Sequence, residues 1–366
     1  MQKKMRSGIT TGTCAAAATK GALMAWLNHF PESVTVVSPQ GIEIHVKIET
    51  CEKVMNGGRA SVIKDAGDDP DVTHGTLIIA QVEVEKGIDT VLKAGQGVGT
   101  VTKLGMSVGV GEPAINSGPR KMILRAVEDV LPEGYGAIVT ISIPDGERLA
   151  KRTLNPTLGI IGGLSIIGTT GIVEPMSEEG FKNSLSPQIN MVKALGYDQV
   201  VFAPGKIGQE IAIHRYGIPG ETVIQTSNFI GHMLESAVQY NMKKVLLFGH
   251  LGKLVKVAAG IFHTHNRMAD ARFETLAAYM AAAGAPQEAI LEILGCTTTE
   301  GAMPIIAQYD LQCVYQTLAE RASARATRYV FGELIVGTVI VTLQGDILGL
   351  DDTAREIGGS LGWNIK

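Results

Sequence analysis

Lys244-Val-Leu-Leu-Phe-Gly249 is an apolar run without alternation, and His250-Leu-Gly252-Lys253 follows it at once. A strand with one wet face would alternate, so this run reads as a strand buried on both faces. The glycines supply the turn into a helix over Gly252–Gly260. Leu164–Ile167, Gln199–Ala203 and Thr222–Thr226 read the same way, and helical segments near Ser177–Leu195, Gly205–Tyr216 and Ser227–Asn241 lie between them. Apolar strands separated by helices predict a parallel sheet covered on both faces, with ligands bound at the carboxyl ends of its strands. Those ends carry Gly168-Thr-Thr-Gly171, Ala203-Pro-Gly-Lys206, Thr226-Ser-Asn228 and Gly249-His-Leu-Gly-Lys253.

Upstream the pattern differs. Thr10-Thr11-Gly12-Thr13 opens a helix running to about His29, with threonines suited to capping and alanines suited to the helix body. Ser33–Val37 and Ile42–Ile48 flank Ser38-Pro-Gln-Gly41 and predict a hairpin. Ala60–Lys64, Thr76–Val84 and Ala137–Pro144 read as strands, and Pro119–Leu131 as a helix. Hairpin strands with two helices among them predict an α+β domain over 1–152, followed by an α/β domain over 153–366. Helices dominate from Met268 to Arg328, and the late strand 333–343 is compatible with either domain.

Composition limits the function classes. The 366 residues are 45% hydrophobic and carry a formal net charge of −4, which suits a folded core and gives no global basic field for nucleic acid. The four cysteines are Cys14, Cys51, Cys296 and Cys313, with no C-x-x-C pair, so neither a zinc ribbon nor a disulfide framework is expected. No run approaches the ~20 apolar residues of a membrane span, and the start lacks the apolar core of a signal peptide. A soluble cytoplasmic protein is expected, and a homo-oligomer is compatible with the sequence.

Several clusters carry chemistry. Gly205-Lys-Ile-Gly208 and Gly249-His-Leu-Gly-Lys253 are not Walker A sequences, and Gly97-Val-Gly99 lacks the spacing of a dinucleotide fingerprint. The loop Asp65-Ala-Gly-Asp68-Asp69-Pro70-Asp71-Val-Thr-His74 concentrates four carboxylates and a histidine after Lys64. It suits hard-oxygen metal binding, hydrogen bonding to a polar ligand or acid–base chemistry; the alternative is a solvated loop of Asx turns. It lacks the order of an EF-hand. His263-Thr-His265 with Asp270 and Arg272 suits ligand contact better than a metal, because no third ligand has the right spacing. Cys14, at a helix start, reads as a small buried hydrophobe rather than a nucleophile.

These same strings resemble the CbiD family. Arg6-Ser-Gly-Ile-Thr-Thr-Gly-Thr-Cys-Ala-Ala-Ala-Ala18, Lys64–Gly75, Glu112-Pro-Ala-Ile-Asn116, Gly168-Thr-Thr-Gly-Ile-Val-Glu-Pro-Met176 and Gly249–Lys256 through Thr264, His265, Asp270 and Arg272 are similar to its signatures, in the same order. Ser117-Gly-Pro-Arg120 departs from the family's Pro-Val-Pro-Arg. The resemblance implies a small α+β domain followed by a Rossmann-like doubly wound domain. It implies methyl transfer from S-adenosylmethionine to carbon 1 of cobalt-precorrin-5B, giving cobalt-precorrin-6A, in anaerobic cobalamin synthesis. Sulfonium methyl transfer needs alignment and exclusion of water rather than a protein nucleophile.

The roles expected on this basis divide three ways. Asp65, Asp68 and His74 are the candidates for proton handling. Gly168, Thr169, Thr170, Gly171, Glu174, Gly249, His250 and Gly252 are expected to hold the donor at one sheet edge. Arg6, Thr10, Thr11, Lys64, Lys253, Thr264, His265, Asp270 and Arg272 are expected to meet the carboxylate-rich tetrapyrrole. No bound metal is expected. The competing readings are a metal-dependent hydrolase built on the acidic loop and His263/His265, and a non-catalytic tetrapyrrole-binding protein.

Overall fold

The computed structural model describes residues 5–175 and 177–363. The chain divides into two compact units, Met1–Glu178 and Glu179–Lys366. This division falls later than the change of character near Thr153, so 153–175 go with the first unit. Met176, which ends the third signature string, lies outside the described residues.

In the first unit, β1 (Gly8–Ile9) leads into α1 (Thr11–Trp26). A hairpin of β2 (Ser33–Val37) and β3 (Glu43–Lys47) follows, then β4 (Thr50–Val54), β5 (Gly57–Ile63), β6 (Leu77–Lys86) and β7 (Val91–Ala94). The unit continues through α2 (Ser117–Glu128), β8 (Tyr135–Ser142) and β9 (Ile172–Val173). The main sheet has the order β4-β5-β6-β8-β7, antiparallel except for the β8–β7 pair. α1 is buried along almost its whole length, because its alanines let it lie close on β5 and β6. A Cβ at Gly58 would stand 1.9 Å from the Ala22 carbonyl oxygen, so only glycine permits that approach.

The second unit holds β10 (Gln199–Ala203), α3 (Lys206–Glu210), β11 (Val223–Gln225), α4 (Ile230–Gln239), β12 (Lys244–His250) and α5 (Leu251–Ala258). Then come α6 (Arg272–Ala282), α7 (Gln287–Leu294), α8 (Thr299–Gln308), α9 (Cys313–Tyr329), β13 (Ile335–Val341), β14 (Ile347–Leu350) and α10 (Asp352–Ser360). The sheet order is β11-β10-β12-β13-β14, parallel except for β14. Its strand order therefore reverses between β10 and β12. Helices cover both faces: a Cβ at Gly337 would meet Ala354 of α10, while Thr338 bonds Ser323 of α9 from the other side.

Three expectations change. Leu164–Ile167 is not a strand of the parallel sheet; Gly163–Leu164 pairs with Gly97–Val98 in the first unit, and Ile167 is held by Thr11. The helix read over Ser177–Leu195 is two, Glu178–Leu185 and Pro187–Ala194, because Pro187 cannot donate to the preceding turn. The late strand lies in the second unit, where Ile335–Val341 pairs with Lys244–His250.

Candidate functional site

In the first unit the acidic loop holds the chain's own amino-terminal strand. The loop joins β5 to β6, and its neck is closed by backbone bonds from Lys64 N to Thr76 O (2.9 Å) and from Gly75 N to Lys64 O (2.8 Å). Arg6 makes a two-pronged ion pair with Asp65. Its backbone N–H donates to Asp68 Oδ2 at 2.6 Å, and its carbonyl accepts from Asp68 N at 2.9 Å. The Arg6 hydrogen bond, helped by the Gly67 N–H, holds the Asp65 carboxyl down at about 2. His74 Nδ1 accepts from Ala66 N at 3.1 Å, which leaves Nε2 to carry any proton chemistry.

Behind this surface Lys64 is buried and pairs with Asp71 Oδ2 at 2.5 Å, while Asp71 Oδ1 accepts from Thr73 N and Oγ1. Burial pushes the Asp71 carboxyl up, but Lys64 and Thr73 together outweigh it and the net direction is down. The start of α1 is equally engaged. Thr10 caps it, with Thr13 N donating to Thr10 Oγ1 at 3.2 Å. Thr11 Oγ1 donates to Ile167 O and accepts from Ile167 N, and Thr13 Oγ1 donates to Gly171 O at 2.6 Å. A Cβ at Gly168, whose φ is +134°, would fall 2.3 Å from Thr10 Oγ1. Thr170 Oγ1 donates to Ile172 O, while Thr169 and Glu174 are exposed. Burial pushes the Cys14 thiol up to about 12, so it stays protonated and unreactive.

The second unit gathers its charges at the carboxyl ends of β11 and β12. His250 caps α5, its Nδ1 accepting from Gly252 N at 3.1 Å. From the next turn Lys253 Nζ donates to Asn228 Oδ1 at 2.6 Å, and Asn228 O accepts from Thr264 N at 2.9 Å. Lys256, fully buried, donates to Thr264 O (3.2 Å), Asn266 Oδ1 (2.7 Å) and Ala269 O (2.9 Å), so all three ammonium protons have acceptors. Asp270 lies 3.9 Å from Lys256 and takes two hydrogen bonds from Arg272, at 2.7 and 2.9 Å. His265 Nδ1 accepts from Arg267 N.

The cations of this edge act on one another, and Asp270, Glu274 and Glu300 act on Arg272. Burial pushes the Lys253 ammonium down, and the charges of Lys256 and Arg272 push the same way. Burial also pushes Lys256 down, opposed by Asp270 and reinforced by Arg272. Partly desolvated cations that repel one another are relieved by an added carboxylate. One backbone and one side-chain detail mark the same edge. Ser227 has φ +54°, and Thr226 Oγ1 is buried with no partner among the described residues.

The structure thus brings Arg6, Thr10, Thr11, Lys64, Asp65, Asp68, His74, Gly168 and Gly171 into one region of the first unit. Lys253, Thr264, Asp270 and Arg272 gather in the second. It does not put Gly168–Glu174 and Gly249–Gly252 on one sheet edge, because the first string belongs to the first unit. The space beside the glycines is filled by protein: a Cβ at Gly249 would be 3.0 Å from Pro204 Cδ, and one at Gly252 3.1 Å from Thr299 Oγ1. His263 packs against the Phe229 ring, at 5.0 Å between centroids, rather than joining His265 in a cluster. Asp71, Asn228, Lys256 and Glu300 were not singled out in the sequence. The first three stand in or beside the quoted strings, whereas nothing local marks Glu300, which meets His250 across the fold. A hollow of about 600 Å³ beside Asp351, Arg328 and Val336 lies toward the amino end of β13, away from all of these residues.

The CbiD family model matches residues 1–175, and the model of the CbiD C-terminal domain matches residues 263–352. A Moorella thermoacetica protein named cobalt-precorrin-5B C(1)-methyltransferase is 52% identical over 366 residues, covering 100% of both chains. A Desulfitobacterium hafniense protein of the same name is 46% identical over 96% of this chain and 92% of its own. The crystal structure of the cobalamin biosynthesis protein cbiD from Archaeoglobus fulgidus is 31% identical, covers 74% of this chain and 84% of that one, and has a TM-score of 0.41. With full-length identity at this level, the chain belongs to the CbiD family.

Proposed function

We infer that this chain methylates carbon 1 of cobalt-precorrin-5B with S-adenosylmethionine as donor, giving cobalt-precorrin-6A. The observation that carries this reading is the 52% identity, end to end, with a protein named for that reaction. In the reaction the macrocycle carbon attacks the sulfonium methyl, the carbon–sulfur bond breaks, and the thioether leaves with the electron pair. No step calls for a protein nucleophile, which fits a Cys14 thiol that burial keeps protonated.

The tetrapyrrole is an anionic ligand, and the cations at the carboxyl edge of the second unit suit it. Lys253 and Arg272 are proposed to receive its carboxylates, with Thr264, His265 and Asp270 framing them; Arg6, Thr10, Thr11 and Lys64 are the first unit's candidates. Of the proton-handling candidates, Asp65 and Asp68 are engaged with Arg6, so His74 is the group to test for proton transfer. The strand-order reversal between β10 and β12, with helices on both faces, supports the Rossmann-like reading of the second unit. His250 beside that reversal, and Gly168–Gly171 with exposed Thr169 and Glu174, remain the proposed donor contacts. Among the described residues no helix is long and apolar enough to cross a membrane, and we propose a cytoplasmic enzyme.

The test is incubation of the protein with cobalt-precorrin-5B and methyl-labelled S-adenosylmethionine. The expected outcome is one labelled methyl group in the corrinoid. An unlabelled corrinoid, with authentic substrate and folded protein, would sink the assignment.

A further inference from the structure

We propose that Glu300 is a positioning residue: its carboxylate fixes the tautomer of His250, and through it the first turn of α5. This rests on reading the carboxyl edge of the second unit as a substrate site. The observations are two contacts on one ring. His250 Nδ1 accepts from the Gly252 N–H at 3.1 Å, so Nδ1 carries no proton in this arrangement. A neutral imidazole then holds its proton on Nε2, and that nitrogen is in close contact with Glu300 Oε1. Both atoms are shut away from solvent, and neither has a hydrogen-bond partner among the described residues; they meet as an ion-pair contact, not as an aligned hydrogen bond.

The two contacts demand the same tautomer. With the proton on Nδ1 instead, the cap on Gly252 would be lost and the Nε2 lone pair would face a carboxylate. The other groups around the pair hold the carboxylate in place. Thr299 Oγ1 donates to Glu300 Oε2 at 3.3 Å, and Arg272 lies near enough for its charge to be felt. There is little slack in the turn, since a Cβ at Gly252 would come within 3.1 Å of Thr299 Oγ1 and 3.3 Å of His250 Nδ1. One residue beyond Gly252 stands Lys253, whose ammonium reaches Asn228. Glu300 thus acts on the anion-facing side chain without touching the anion. Both ring nitrogens of His250 are engaged, so the imidazole serves as a strut and not as a base.

The experiment reads the tautomer first. Imidazole nitrogen NMR of the full chain, with the His250 signals assigned by their loss in His250→Asn, should show an unprotonated Nδ1 and a protonated Nε2. Glu300→Ala should raise the population with the proton on Nδ1. It should raise the cobalt-precorrin-5B KM by about tenfold, the scale of a lost helix cap, with kcat changed less than about twofold. Glu300→Gln, whose amide oxygen can stand beside Nε2 where Oε1 stands, should restore both. In the His250→Asn background the asparagine oxygen caps Gly252 by itself, so adding Glu300→Ala should have no further effect on KM. A wild-type ring protonated on Nδ1, an unchanged tautomer and KM in Glu300→Ala, or additive effects in the double variant would each overturn the proposal. A shifted tautomer with an unchanged KM would overturn the positioning role while leaving the proposed reaction intact. The tautomer measurement needs no substrate, so a wild-type protein that transfers no methyl group fails the proposed function alone.

Discussion

The acidic loop of the first unit and the basic edge of the second are both dense in charge, and they use it in opposite ways. In the loop, Asp65 and Asp68 are occupied by Arg6, and buried Lys64 is occupied by Asp71. The charges balance, and they fasten the amino-terminal strand to a hairpin. At the basic edge, Arg272 pairs with Asp270, which also lies 3.9 Å from Lys256, and burial with neighbouring cations pushes Lys253 and Lys256 down. Asp270, Glu274 and Glu300 act on Arg272, whereas the charges acting on Lys253 are those of Lys256 and Arg272. Charge density alone therefore does not mark a ligand site; the proposed anion contact lies at Lys253, where the neighbouring charges are cations.

The largest effect is expected from Lys256→Met. The ammonium supplies the hydrogen bonds that order 264–270, so its loss leaves three acceptors without their donor. Lost hydrogen bonds to a charged group are worth roughly 1.5–3 kcal/mol, and a loss near 3 kcal/mol in a unit of this size lowers Tm by about 6–12 °C. A melting curve within about 2 °C of wild type would show that the loop does not depend on the buried cation.

Arg272→Ala tests whether the cationic edge faces substrate. Loss of a charged hydrogen bond to a carboxylate, again roughly 1.5–3 kcal/mol, corresponds to a KM for cobalt-precorrin-5B raised about 10–150-fold. Steady-state kinetics showing a fall in kcat at unchanged KM would move the contact from binding to the chemical step.

Asp65→Asn separates a clasp from a base. A general base lost from the chemistry would lower turnover by roughly 10²–10⁴-fold, whereas a clasp lost from an exposed ion pair changes it little. The clasp is the expected outcome, with turnover within about threefold of wild type. The pH dependence gives the sign. A carboxyl held down at about 2 contributes stability that is present above the ordinary value near 4 and is lost as pH falls toward 2. Unfolding curves of the variant should lack that acid-side loss while matching wild type in shape at neutral pH.

The smallest effect is expected from Cys14→Ala. The thiol is buried and protonated, so turnover should be unchanged and stability should fall by about 1 kcal/mol, the cost of a small lost core group. A large fall in kcat would bring the thiol back into the chemistry.

The sequence by itself determined much of this protein. Gln199–Ala203 and Lys244–Gly249 announced buried parallel strands because a strand with helices on both faces has no wet side to alternate with. The threonines before Ala15–Ala18 announced the start of α1 because a helix leaves backbone donors that hydroxyls can cap. Those readings depend on neighbours in the chain. Leu164–Ile167 misled for the same reason: an apolar run looks alike in any sheet, and only its pairing with Gly97–Val98 decided where it belongs. The site divides along the same line. Asp65, Lys64, Lys253 and Arg272 could be picked out because charged residues cluster within short strings. Whether each charge is balanced depends on partners that folding brings from elsewhere. Arg6 reaches Asp65 across 59 residues of chain, Asn228 reaches Lys253 across 25, and Glu300 meets His250 from a separate helix. Hydrogen bonds and ion pairs act over a few ångströms of space, not over positions in a chain, so the tertiary structure alone decided which partner each charged string meets.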